Sequence, residues 1–422
     1  MHSIGIDFGT TNTVMAIPGP GQSAEVIRCV FHGEPLQSFR TTLSFQRGGQ
    51  AGPRTEAGPY AIEAFIAAPE ETRFLQSFKS FAASAAFTDT AIFSKRFKFE
   101  DLLAAFVARA GQHVGIAQYP KRAVIGRPVV FAGARPDMAL ARKRYDAAFR
   151  ALGIEEIIYV LEPVAAAFFY AQRLTQDATI LVGDFGGGTS DFSLMRFHAD
   201  GRAEALAYSG AGVAGDSFDY RIIDAVVSPR LGKNATYVSW GKELTIPVHY
   251  FVNFSRWNEL CLMNRPDVIR ELRQFAKASS AGAKLRAFID LIEGGVSYQL
   301  YQTVSKVKAE LSVQPVAQFR FDAAGTVIET EITRTAFETW IAQDLSRIDG
   351  CVDQVLEKAC LAAGEIDRVF LTGGSSYVPA VRRLFVERFG AERIETGDQL
   401  LSIAKGLALI GASADPGKWA AG

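Results

Sequence analysis

Ile4-Gly-Ile-Asp-Phe-Gly-Thr-Thr-Asn12 and Val182-Gly-Asp-Phe-Gly-Gly-Gly-Thr-Ser-Asp191 are near-copies of one chemical device placed far apart in the chain. In each, a short apolar strand delivers an Asp. Glycines then allow a turn that residues with a Cβ resist, and Thr or Ser hydroxyls come next, beside free backbone N–H groups. Such a turn binds polyphosphate. Two copies facing each other, each with an Asp able to hold water on a cation, would enclose the phosphate tail of a nucleotide and its magnesium. The duplication predicts an ATP site between two α/β lobes and a weak internal repeat of a whole lobe.

Around the first turn, strands are expected at Ser3–Phe8 and 12–17, and around the second at 179–182 and 192–196. Residues 122–126 read as a β-branched strand, and 60–67 and 99–114 as helices. Glu162-Pro163 opens a helix whose run Val164-Ala-Ala-Ala-Phe-Phe-Tyr-Ala171 is apolar on almost every face, so it is expected to be buried between sheets or lobes. A third glycine-rich turn, Gly210-Ala-Gly-Val-Ala-Gly-Asp-Ser-Phe-Asp219, opens another helix. Gly215 and Asp216 stand at its N-terminus, where free N–H groups meet phosphate.

Near the C-terminus, Val369-Phe-Leu-Thr-Gly-Gly-Ser-Ser-Tyr-Val-Pro379 runs a strand into Gly373 and Gly374, which let something flat approach the backbone. The adenosine end of the same nucleotide is the expected visitor. Val304, Val307 and Leu311 bury one face of a helix and leave Lys308 and Ser312 on an adjoining stripe, within reach of a ribose.

Composition limits the partners. Lys plus Arg equals Asp plus Glu at 45 each in 422 residues, so no global field recruits nucleic acid or an anionic membrane. Cys29, Cys261, Cys351 and Cys360 form no C-x-x-C pair, and none has a His at metal-ligand spacing, which reads as a reduced, cytoplasmic setting. The strand at Ser3 leaves no room for a signal peptide, and no apolar run approaches the ~20 residues of a membrane span.

The order IDFGTTN, EPVAAAFFY, GDFGGGTSD, GAGVAGDSFD, KAELS and LTGGSSYVP resembles the ATPase domain of the seventy-kilodalton heat-shock chaperones of the DnaK type, on the actin, sugar-kinase and heat-shock fold. Shorter bacterial members of the YegD kind are the closest likeness. The resemblance implies a two-lobed actin-like ATPase with duplicated ribonuclease-H-like lobes. The first lobe would span residues 1–175 and the second 176–411, with an inserted helical subdomain near 228–300 and a short tail at 412–422.

It further implies that Asp7 and Asp184 orient magnesium-bound waters, that Gly9, Thr10, Thr11 and Asn12 hold phosphate from one side, and that Gly186, Gly187, Gly188 and Thr189 hold it from the other. Lys79 resembles the lysine near the γ-phosphate, although by itself it reads as a solvated side chain. Glu162 resembles the acid that positions the attacking water, although by itself it reads as a helix cap. Gly215, Asp216, Lys308 and Ser312, with Gly373, Gly374, Ser375 and Tyr377, match contacts to the rest of ATP or ADP. Tyr377 stands where the family usually carries an Arg, and Ser305 where it carries a Glu that binds the ribose.

The stretch after Gly411 is too short for a peptide-binding domain. The expected function is therefore a slow, chaperone-type ATPase whose nucleotide state controls a protein partner or client, with Trp240, Tyr250, Phe251 and Trp257 as the exposed aromatics that meet it. A sugar-type kinase would need an Asp base and a substrate pocket, and nothing between residues 60 and 130 plainly supplies them. An actin-like polymer would need long apolar contact surfaces.

Overall fold

The computed structural model describes residues 3–21, 23–48, 53–133, 135–172, 176–198, 203–260, 263–395 and 401–421. They form two compact units. The larger comprises Met1–Gly215, Ser346–Tyr377 and Val381–Gly422, and the smaller Asp216–Leu345 with Val378–Ala380. A division at residue 175 is a different partition, because the sheets on either side of that point both belong to the larger unit.

Those two sheets have the same plan. In the first, β1 (Ser3–Phe8) pairs antiparallel with β2 (Asn12–Pro18), which pairs with β3 (Ala24–Val26). On its other side β1 runs parallel to β4 (Arg122–Arg127), and β4 parallel to β5 (Glu156–Leu161). In the second, β6 (Ala178–Phe185) pairs antiparallel with β7 (Ser190–Phe197), which pairs with β8 (Ala203–Ala211). There β6 runs parallel to β9 (Arg368–Thr372), and β9 to β10 (Ile394–Glu395). The duplicated glycine turns thus sit at equivalent hairpins of a duplicated mixed α/β lobe. Every residue of β1 and of β6 is buried, as expected for a central strand covered on both faces.

Helices α1 (Met138–Ala151) and α2 (Glu162–Ala171) lie in the larger unit, α3 (Gly215–Ile222) begins at the boundary, α4 (Ser297–Val313) lies in the smaller unit and α5 (Ser402–Ala412) in the larger. Helix α2 is apolar all round because it packs against β4 and β5 of one sheet and β6 and β7 of the other. It crosses α5 closely: a Cβ on Gly406 would lie 1.8 Å from the Ala165 carbonyl oxygen. The shared core includes Val124, Val160, Val164, Ile180, Val182 and Leu407, with Tyr170 stacked on Phe370 at 3.9 Å between ring centroids.

Helix α1 and strand β5 escape the sequence pattern. The buried face of α1 carries Arg144 among Ala141, Tyr145, Ala148 and Phe149, so a charge interrupts the apolar period. Its guanidinium is spent on carbonyls, donating to Phe81, Ala82 and Ser84 at 2.8, 3.0 and 3.1 Å and also to Phe87.

The smaller unit is helical with two hairpins, 236–245 and 316–333, the first of them within the segment 228–300. Nor are its aromatics an exposed set. Trp240, at the tip of the first hairpin, is fully exposed, but Tyr250, Phe251 and Trp257 are buried. Phe251 stacks on Phe288, the Trp257 indole N–H donates to Asp219 at 3.0 Å, and the Tyr250 hydroxyl bonds Glu271. Each ring has a partner within its own unit, which a sequence of scattered aromatics does not reveal. Cys29, Cys351 and Cys360 are free thiols, while Cys261 lies outside the described residues. Among the described residues no helix is long and apolar enough to cross a membrane.

Candidate active site

The two glycine turns close with the same bond at the same offset. Gly9 N–H donates to the Asn12 carbonyl at 3.0 Å, and Gly186 N–H donates to the Thr189 carbonyl at 3.0 Å. They face each other inside the larger unit, for a Cβ on Gly188 would come within 3.0 Å of Thr10 Oγ1. Each is braced from outside. Thr41 Oγ1 donates to the Gly9 carbonyl at 2.8 Å, and its N–H donates to the Thr11 carbonyl at 2.9 Å. At the second turn Ser190 Oγ donates to the Val213 carbonyl at 2.6 Å, and Gly215 N–H to the Gly186 carbonyl at 3.3 Å, so the third glycine turn is tied to it.

Asp7 and Asp184 are the penultimate residues of β1 and β6, each followed by a Phe that ends the strand, and both are buried. Glu162 is the first residue of α2, where Leu161 is the N-cap and makes no side-chain cap bond, so its carboxylate is free for another role. That role is Lys79. The Lys79 ammonium donates to Glu162 Oε1 at 2.7 Å, and the two side chains are only 7% and 6% exposed. Lys79 sits in the short turn Phe78–Phe81, entered through Ser77 in the left-handed region, with Phe78 and Phe81 buried beside it. The solvated reading of Lys79 and the capping reading of Glu162 are therefore both corrected: aromatic packing takes the lysine out of water, and a carboxylate is the partner that compensates.

Asp191, opposite Asp184 in the β6–β7 ladder, is a fourth buried carboxylate. Its Oδ1 accepts from the Val129 and Val130 N–H groups at 2.8 and 3.1 Å, while Oδ2 has no hydrogen-bond partner. Burial, then the charge of Glu162, push Asp191 up to about 7. Burial and Glu162 also raise Asp7, with Lys79 opposing. Asp184 rises through burial and then through Glu162, Asp7 and Asp191. Burial works against the Lys79 ammonium, but Glu162 leads the interactions that overcome it and hold the proton more tightly than usual.

Glu162, Asp7 and Asp184 act on the Lys79 ammonium, and with Asp191 the cluster holds more carboxyl groups than cations, a balance that protons or a bound cation would relieve. Among the described residues no three His, Cys, Asp or Glu converge as a chelating set. The arrangement fits Mg²⁺ held through its own water shell, since that ion dehydrates reluctantly and keeps several waters.

The remaining expected residues divide between the units. Gly373 has φ +83°, and a Cβ there would lie 2.1 Å from the Phe185 carbonyl oxygen, so it is the second turn's own backbone that requires this glycine. Gly374 has open space on its Cβ side, Ser375 is buried and Tyr377 is 60% exposed. Asp216, Lys308 and Ser312 belong to the smaller unit. There the Lys308 ammonium pairs with Asp219 Oδ1 at 2.6 Å and Ser312 Oγ donates to the Lys308 carbonyl at 3.0 Å. Asp191 was visible as the last letter of the second motif. Thr41 carried no signal, because only the pairing of Phe39–Arg40 with β2 brings it to the first turn.

The model of the Hsp70 protein family matches residues 77–236 and 283–418. The chain is 26% identical over 412 residues to the chaperone protein DnaK of Thermotoga neapolitana, covering 96% of this chain and 58% of that protein. It is 26% identical over 417 residues to the DnaK of Thermosipho melanesiensis, covering 97% of this chain and 58% of the relative. The chain thus spans less than two thirds of the length of these curated relatives.

Proposed function

The chain belongs to the Hsp70 family, as a protein of its ATPase-domain type distantly related to the DnaK chaperones, and on that premise we propose that it binds ATP with magnesium and hydrolyses it slowly, its nucleotide state setting its affinity for a protein partner in the cytoplasm. The observation that carries this reading is the pair of identical turns facing each other beside Asp7, Asp184 and the buried Lys79–Glu162 pair.

Phosphoryl transfer to water asks a protein for positioning and charge neutralisation more than for a covalent nucleophile. The backbone N–H groups of Thr10, Thr11 and Asn12 and of Gly187 and Gly188 cradle phosphate oxygens from two sides. Lys79 supplies a fixed positive charge in a site closed to water, where it is worth most. Glu162, held by Lys79, orients the attacking water and draws its proton. Asp7, Asp184 and Asp191 would hold magnesium through water, and the ion would supply neutralisation of charge on the phosphates. Gly373, Gly374, Ser375 and Tyr377 are proposed to receive the nucleoside end.

Calorimetric titration with ATP and ADP in magnesium, beside Asp184→Asn, followed by phosphate release on the same samples, tests the proposal. Magnesium-dependent binding that the variant loses is expected. Absence of nucleotide binding by the unaltered chain would overturn the reading.

A further inference from the structure

A second cavity lies in the larger unit, and nothing in the proposed ATPase cycle uses it. It has a volume of about 210 Å³ and is lined by Phe131, Met138, Tyr145 and Tyr159 together with Arg127 and Arg142. Its walls are mostly hydrocarbon. Two of its lining side chains are cationic, and this combination selects ligands sharply.

The two arginines are held in place. Arg127 ends β4 and donates to the Pro128 carbonyl at 3.3 Å. Arg142, one helical turn before Asp146 on α1, lies 4.3 Å above the centroid of the Tyr159 ring. The acid on this side of α1 is already engaged. Asp146 accepts from the Tyr159 hydroxyl at 2.9 Å and stands 3.6 Å from Arg142 Nε, a distance too long for a strong charge-assisted bond. Arg127 loses proton affinity first through burial and then through the charge of Arg142, while Glu162 and Asp191 act the other way. Tyr145, 1% exposed and with no hydrogen-bond partner for its hydroxyl, forms the wall. It also lies within the field of Lys79, Glu162 and Asp7.

We propose that this cavity is a binding site for a small aromatic carboxylate, its ring among Phe131, Met138, Tyr145 and Tyr159 and its carboxylate between Arg127 and Arg142. The size matches. A dry cavity of roughly 150 Å³ takes a benzene ring, and the extra volume here accommodates one carboxylate. Guanidinium recognises the planar anion through paired N–H bonds, and the apolar walls exclude bare phosphate or sulfate, which bring no surface to bury. The site is independent of whether the chain hydrolyses ATP.

The test uses the full chain and 4-fluorophenylacetate as a ¹⁹F NMR probe, with 4-fluorophenylacetamide as its uncharged counterpart. Fast broadening of the acid's signal at millimolar concentration, reversed by unlabelled phenylacetate but not by ADP, is expected. The amide should bind at least about tenfold more weakly, the loss of one charge-assisted contact. Arg142→Gln, which removes the charge and keeps the stem over Tyr159, should weaken the acid to the level of the amide. Ala139→Leu, at another residue that lines the cavity, narrows it without touching a charge and should abolish both, with melting temperature monitored for each variant. Equal binding of acid and amide, displacement of the probe by ADP, or no binding of the acid by the unaltered chain would each overturn the proposal.

Discussion

Lys79 and Glu162, 83 positions apart in sequence, meet as a buried ion pair at 2.7 Å. The pair fixes a turn, Phe78–Phe81, to the first residue of α2, and it sets a cation within the carboxylate cluster. Removing one member leaves the other charged and out of water. Lys79→Met should therefore cost about 3–5 kcal/mol of stability in denaturant unfolding, with phosphate release lost. Adding Glu162→Gln should recover most of the stability and none of the turnover. If the single variant were as stable as the parent, the pair would carry no structural weight.

A pH dependence arises from the raised carboxyls. Asp191 protonates near pH 7 in the fold, against about 3.9 in the unfolded chain. Since the folded state binds this proton more tightly, the associated stability is complete below the unfolded value and is lost as pH rises through about 7. The nucleotide-free protein should melt lower at pH 8 than at pH 6, and Asp191→Asn, which keeps an acceptor for the Val129 and Val130 N–H groups, should flatten the difference. Binding of magnesium nucleotide near pH 7 should release protons, seen as heats that change with the buffer's ionisation enthalpy. Identical melting curves for variant and parent across this window would contradict the assignment.

Two glycines should respond in opposite ways. Gly406→Ala puts a methyl 1.8 Å from the Ala165 carbonyl oxygen, and neither helix backbone can yield, so a loss of about 3 kcal/mol or failure to fold is expected. Gly374→Ala meets nothing within 4 Å. Its stability should stay within about 0.5 kcal/mol of the parent, while nucleotide affinity falls, since the added methyl occupies the face proposed for the nucleoside. Chemical denaturation and calorimetry on both variants separate these effects.

The aromatics of the smaller unit give a direct comparison. Trp240→Ala should leave unfolding unchanged within about 0.5 kcal/mol, because the ring is fully exposed. Phe251→Ala should cost about 3–5 kcal/mol, because the ring is fully buried against Phe288. Similar effects in the two variants would mean that their burial had been misjudged.

Much of the fold was legible because phosphate-type turns are written locally. Gly9 to Asn12 and Gly186 to Thr189 announce themselves by residue type, the strands before them by apolar runs, and α2 by Glu-Pro and an all-round apolar face. Local chemistry thus determined the duplicated α/β architecture and the two Asp positions at its centre. Tertiary structure alone decided the rest. By residue type alone Lys79 read as a solvated lysine, and only the family resemblance marked it otherwise; its burial came from the packing of Phe8, Phe78 and Phe81, and Asp191 acquired its raised proton affinity from burial and from Glu162, a residue on another element. Thr41 reached the first turn through strand pairing, and Arg142 met Arg127 because α1 folds over β4 and β5. Backbone turns depend on a few neighbouring residues. Burial, ion pairing and cavities depend on what distant segments bring together, and that is settled only when the sheets close on their helices.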